Sequence, residues 1–198
     1  AGADWMLADA VGADPIDPFA FALVQDDLQE ALSDPAGVHA GEVEKTGQLA
    51  EGLLLSGFAM QAVQSSRPAS GAEHQFSHLW DMEHLRHNGT SVSHGFKVGI
   101  GTLASTALFE MLLEAPVEQL DIERCVAAWR TWDETESDIR ALFGDNAELI
   151  ARALKETRNK YVDKEGLREE LSRLKKAWPE LQERIRRQII PFGEVKRR

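Results

Sequence analysis

The segment "LAEGLLLSGFAMQAV", within a stretch running from about Glu42 to Gln64, constrains this chain more than any other. It reads as a helix that is apolar on most sides. Such a helix has no face to give to water and is expected in the middle of a bundle. Gly52 and Gly57 lower its helix propensity a little but let neighbouring helices approach.

The rest of the chain agrees with a helical bundle. Tyr occurs once, Val and Ile are scattered, and no run alternates apolar and polar residues for long, so strand signals are nearly absent. "DPFAFALVQDDLQEALSD" has Asp17 as a cap, Pro18 at the first helical position, and Phe21, Val24, Leu28 and Leu32 along one face. "PAGVHAG" then breaks the chain. A further helix is expected after "SRPAS" and another from about His94 to Leu113. Beyond Asp121 come shorter amphipathic helices such as "NAELIARALKETRNK" and "KEGLREELSRLKKAW", separated by "FGDN", "YVDKEG" and "WPE". The expectation is an all-α, multi-helix domain spanning residues 1–198, with roughly seven to nine helices.

Length and charge narrow the functions. With 198 residues the chain can bury one substantial core. A net charge of −11 argues against nucleic acid as a partner, because phosphate binding needs a basic surface. The one basic concentration, Arg184, Arg186, Arg187, Lys196, Arg197 and Arg198, is interleaved with Glu183 and Glu194 and reads as a solvated helix end. Cys125 is the sole cysteine, which excludes an internal disulfide and suits a reducing cytoplasm. It reads as a core residue. No apolar run reaches the roughly 18–20 residues that span a bilayer, and no signal peptide is visible. The opening "AGADWMLADAVG" starts as if in mid-helix and looks like a cut edge.

Five of the six histidines fall in "SRPASGAEHQFSHLWDMEHLRHNGTSVSHG". Ser70 and Glu73 form an S-x-x-E pattern that predicts a capped helix start. His74 then lies in the first turn with His78 at i+4, on the same face. Ser93 is the expected cap of the following helix, which places His94 at its start. The positive end of a helix dipole favours a neutral ring there, free to act as a ligand. A metal held against this face and a surface helix with exposed histidines are equally compatible with the spacing. His84 and His87 are expected near a helix end as surface residues, and His39 has no functional case.

Other motifs are weaker. Lys97, Gly99 and Gly101 in "FKVGIGTLAS" resemble a phosphate loop, but no strand precedes them, and close helix packing explains the glycines better. "TWDETESD" reads as a solvated turn. Asp4 is a possible but disfavoured third ligand.

"SRPASGAEHQFSH" followed by "SHGFKVGIGTLA" closely resembles the sn-glycerol-1-phosphate dehydrogenase family, within the superfamily of iron-containing alcohol dehydrogenases, glycerol dehydrogenase and 3-dehydroquinate synthase. "ADWMLAD" and the polar helical tail also resemble it, so the likeness runs along essentially the whole chain. It implies an all-α C-terminal domain carrying metal and substrate. The N-terminal dinucleotide-binding domain of that family would be absent from this chain. It further implies His74 and His94 as metal ligands, His78 as a substrate-side catalytic residue associated with proton transfer, and a third, aspartate ligand upstream of Ala1.

The implied cofactors are a divalent metal, zinc first and nickel or iron as alternatives, and NAD(P) bound by the other domain. The implied substrate is a small phosphorylated polyol, with Arg67, Arg86 and Asn88 plausible near its phosphate by charge and proximity alone. A cytoplasmic homo-oligomer is expected. The alternatives are a related polyol dehydrogenase or dehydroquinate-synthase-like enzyme, and a helical domain that is inactive alone.

Overall fold

A computed structural model describes residues 1–26 and 28–197. Among them are twelve α-helices: α1 (Gly2–Val11), α2 (Pro18–Gln25), α3 (Leu28–Ala31), α4 (Pro35–His39), α5 (Val43–Val63), α6 (Ala72–Met82), α7 (His94–Glu114), α8 (Ile122–Ala128), α9 (Trp132–Phe143), α10 (Ala147–Lys160), α11 (Lys164–Gln188) and α12 (Phe192–Arg197). Two two-residue strands, β1 (Arg86–His87) and β2 (Thr90–Ser91), pair antiparallel between α6 and α7. The all-α class holds, with more and shorter helices than periodicity suggests.

Helix α1 joins two hydrophobic clusters. Ala3 and Met6 pack with Leu113 of α7 and with Trp178, Leu181 and Ile185 of α11. Trp5, on another face of α1, packs with Ala20 and Val24 of α2 and Ala59 of α5. The Trp5 indole donates to the Pro15 carbonyl at 3.3 Å, so a large apolar ring is buried with its one donor satisfied.

Several boundaries follow the expected caps. The Asp17 carboxylate accepts from the Ala20 amide at 2.8 Å, with Pro18 at the first helical position. The Ser93 hydroxyl accepts from the Phe96 amide; Asp163, not singled out from sequence, likewise caps α11 by accepting from the Gly166 amide.

Other expectations are corrected. The helix predicted through Leu32 is two short helices, and Leu32 is exposed. "PAGVHAG" holds the one-turn helix α4, capped by Asp34. Helix α11 runs 25 residues straight through Pro179. A proline interior to a helix removes one backbone hydrogen bond, and Trp178 and Leu181 on either side are both buried in the core, which anchors the helix across that position. Cys125 is half-buried rather than in the core.

The largest correction concerns α5. It packs against α2, α3 and α4, with Ala59 as its buried residue, yet Leu53, Leu54 and Phe58 are 66%, 63% and 57% exposed. It lies at the side of the assembly, not in its middle. Gly52 does approach a neighbour, with a Cβ there meeting the Ala31 Cβ at 3.2 Å, whereas Gly57 faces open space.

Helix α7 is similar: Lys97, Gly101, Ser105 and Thr106 are buried, while Phe96, Ile100, Leu108 and Met111 are exposed. By length and composition alone α7 is long and apolar enough to cross a membrane, contrary to the sequence expectation. The basic side chains from Arg184 to Arg197 are exposed as expected; Arg198 lies outside the described residues.

Candidate metal centre

The histidines are brought together by the packing of α6 against α7. Close approach is possible because Gly101 has no side chain: a Cβ there would lie 2.3 Å from the Glu73 carbonyl oxygen. The glycine therefore serves helix packing, and Gly99, facing open space, does not.

Helix α6 begins one residue later than the S-x-x-E pattern predicts. Gly71 is its cap residue, because a Cβ at 71 would lie 2.7 Å from the Ala1 Cα and only glycine admits the start of α1. Glu73 still reaches back, accepting from the Gly71 amide at 2.7 Å. The same carboxylate oxygen lies 2.9 Å from His74 Nδ1. Its other oxygen takes the Ala1 ammonium at 3.1 Å. In the 198-residue chain burial raises the Glu73 pKa, but the free Ala1 ammonium, the Gly71 amide and His74 together bring it down to about 2; where a residue precedes Ala1 the ammonium's share is gone. Glu73 is thus a buried, ionised acceptor.

His94 opens α7, and its ring centroid lies 5.5 Å from that of His74. His94 Nδ1 is 3.1 Å from the Ser77 hydroxyl and 3.4 Å from Asp81 Oδ2. Ser77 is fully buried. The other Asp81 oxygen accepts from the buried Lys97 ammonium. That hydrogen bond is the main reason the Asp81 carboxyl is held below its ordinary range, against an opposing effect of burial and with a further contribution from His94. His78 sits one turn after His74, exposed, with ring centroids 6.4 Å apart.

The rings of His74 and His94 have their Nδ1 atoms engaged, and neither Nε2 has a hydrogen-bond partner among the described residues. Imidazoles whose second nitrogen is held by a carboxylate suit a divalent cation. They fit as part of a donor set: among the described residues no group of three or more His, Cys, Asp and Glu side chains is arranged to hold a metal ion.

The remaining candidates lie elsewhere. Asp4 is ion-paired with Arg67, which also meets Asp14 at 2.8 Å, so both charges are engaged within the chain. Helix α6 ends at Met82, ahead of His84, in a paired cap. The Leu85 amide bonds the Trp80 carbonyl at 3.0 Å and the His84 amide bonds that of Asp81 at 3.1 Å, with His84 left-handed at φ 53°. Asn88 and Gly89, both at positive φ, form the tight turn of the β1–β2 hairpin. His87 is in β1, and Arg86 donates to the Gly89 carbonyl at 3.2 Å. His39 ends α4, exposed.

Ser77 and Asp81 were not singled out as site residues from sequence, Lys97 only within a disfavoured phosphate-loop pattern, and Glu73 only as a cap. The available signal was spacing: Ser77 and Asp81 are i and i+4 on α6, the face that also carries His74 three residues before Ser77.

Over 107 residues the chain is 36% identical to glycerol-1-phosphate dehydrogenase (NAD(P)+) of Halalkalibacterium halodurans, covering 54% of this chain and 27% of that protein. It is 40% identical over 100 residues to that of Geobacillus stearothermophilus, covering 50% and 25%. The corresponding protein of Pyrococcus furiosus is 35% identical over 100 residues, covering 50% and 28%. The likeness thus covers about half of the chain, less than the motifs alone suggest. The chain spans about a quarter of the length of these relatives. No family profile and no solved structure matches it.

Proposed function

We propose that this chain is the metal- and substrate-binding part of an NAD(P)-dependent dehydrogenase acting on glycerol 1-phosphate. It would work with a dinucleotide-binding domain whose glycine-rich fingerprint does not occur in these 198 residues. The observation that carries this reading is the convergence of His74 and His94, on two different helices, with each Nδ1 within hydrogen-bond distance of a neighbouring side-chain oxygen. The names of the relatives supply the reaction.

In this reading His74 and His94 present Nε2 toward a shared cation, with zinc first by ligand type. When bound, the cation would supply Lewis acidity at the substrate oxygen and NAD(P) would take the hydride, giving dihydroxyacetone phosphate. His78, exposed one turn from His74, takes up or returns the hydroxyl proton at a ring nitrogen. Arg86 and Asn88, on the adjoining hairpin, are offered for the substrate phosphate. We read the protein as cytoplasmic from the kind of enzyme its relatives are named as, and as a homo-oligomer, for which the uncovered apolar faces of α5 and α7 give support.

The test is NAD(P)-dependent oxidation of glycerol 1-phosphate by the complete protein carrying this chain. Chelation is expected to abolish it, and retained activity in a His74→Ala, His94→Ala double variant would refute the reading. A narrower reading has its own support. Only part of a ligand set is present among the described residues, so the 198-residue chain by itself is expected to show no dehydrogenase activity and weak metal retention. Stoichiometric zinc after dialysis, by elemental analysis, would contradict that.

A further inference from the structure

We infer that Glu73 and Asp81 are positioning residues that fix His74 and His94 as Nδ1-protonated tautomers, leaving both Nε2 atoms bare. The inference rests on the metal reading above for its purpose, but not for its evidence.

The direction of each hydrogen bond follows from the inventory of donors. Lys97 has protons and no acceptor, and Asp81, ionised beside it, has acceptors and no proton. Ser77 has a single proton, and the Asp81 carboxylate lies 3.4 Å from it, a long contact. If that proton points to Asp81, the Ser77 lone pairs are left for His94, and only an Nδ1–H can satisfy them at 3.1 Å.

The opposite tautomer would turn an unprotonated Nδ1 toward Asp81 Oδ2 at 3.4 Å, setting two lone pairs against each other. At His74 the argument is simpler. Glu73 Oε1 already accepts the Gly71 amide proton at 2.7 Å and lies 2.9 Å from His74 Nδ1, so the ring meets an accepting oxygen and Nδ1 carries the proton between them. A neutral imidazole protonated on one nitrogen is an acceptor on the other, so the bare atoms are the Nε2 pair. The two carboxylates thus do at two helices the same work that an outer carboxylate does for a ligating histidine. The buried Lys97 holds Asp81 in place.

The experiment is long-range proton–nitrogen NMR of the imidazole rings in the metal-free 198-residue chain, near pH 8.5, about two units above the reference imidazole value. His74 and His94 are both expected mainly as Nδ1–H. In a Ser77→Ala, Asp81→Ala double variant, His94 is expected to shift toward Nε2–H while His74 keeps its tautomer and reports that α6 is folded. A wild-type His94 or His74 that is mainly Nε2–H, or an unchanged His94 in the variant, would overturn the inference. The wild-type spectrum decides even if the variant fails to fold.

In the complete enzyme the double variant is expected to lose roughly 10–100-fold in zinc affinity, and unchanged affinity would overturn the positioning role. Because the tautomers are read without metal, a complete enzyme that holds no divalent metal would sink the metal reading and leave the tautomer result standing.

Discussion

Replacing Gly101 by alanine should pry α6 from α7. The new Cβ would lie 2.3 Å from the Glu73 carbonyl oxygen, 3.1 Å from its carbon and 3.3 Å from its Cα, where ordinary contact begins at 3.4 Å. The helices must therefore separate locally by about 1 Å. The obstacle is backbone in the first turn of α6, so no side chain can swing aside. Overpacking of this kind costs about 1–3 kcal/mol, and a rigid obstacle places it near the upper end. Alanine returns about 1 kcal/mol of helix propensity over glycine. The net expectation is a loss of about 2 kcal/mol. Gly99, two residues earlier in the same helix, has nothing within 4 Å of a built Cβ, so Gly99→Ala should gain about 0.5–1 kcal/mol. Urea unfolding followed by circular dichroism measures both. Opposite signs are required; a Gly101→Ala chain as stable as Gly99→Ala would refute the packing argument. It would also remove the reason for the 5.5 Å approach of His74 to His94.

Two further outcomes are expected. In the 198-residue chain, with its free Ala1 ammonium, Glu73 has its pKa lowered from 4.5 to about 2, so its stabilising contribution is complete above 4.5 and is lost as pH falls toward 2. Urea midpoints measured across that window should fall more for the parent chain than for Glu73→Gln, and equally steep curves would contradict the assignment. The exposed Leu54 and Phe58 of α5 should drive self-association. Leu54→Glu with Phe58→Glu should shift sedimentation toward monomer with little change in unfolding midpoint, whereas a parent chain that is monomeric at high concentration would exclude this role.

Much of the fold is legible in local chemistry. Asp17, Ser93 and Asp163 cap the helices they precede because a short acceptor before an amide-rich turn satisfies donors within a few residues. The Asn88–Gly89 hairpin was equally legible, since that dipeptide accepts positive φ at both positions. The Ser70 cap was misplaced because α1, distant in sequence, sits against residue 71 and only glycine leaves room.

The amino-acid sequence by itself determined the all-α class, the start of α7 at His94 and the pairing of His74 with His78 on one helical face. Each depends on residues within a turn or two of one another. Tertiary structure alone decided that α5 and α7 carry uncovered apolar faces, that α11 continues through Pro179, and that His94 meets His74. It also decided which acceptors hold those rings. Burial and side-chain contact are properties of the whole packed surface: a leucine's exposure depends on which helices arrive beside it, and Asp81 meets Lys97 only because Gly101 lets two helices touch.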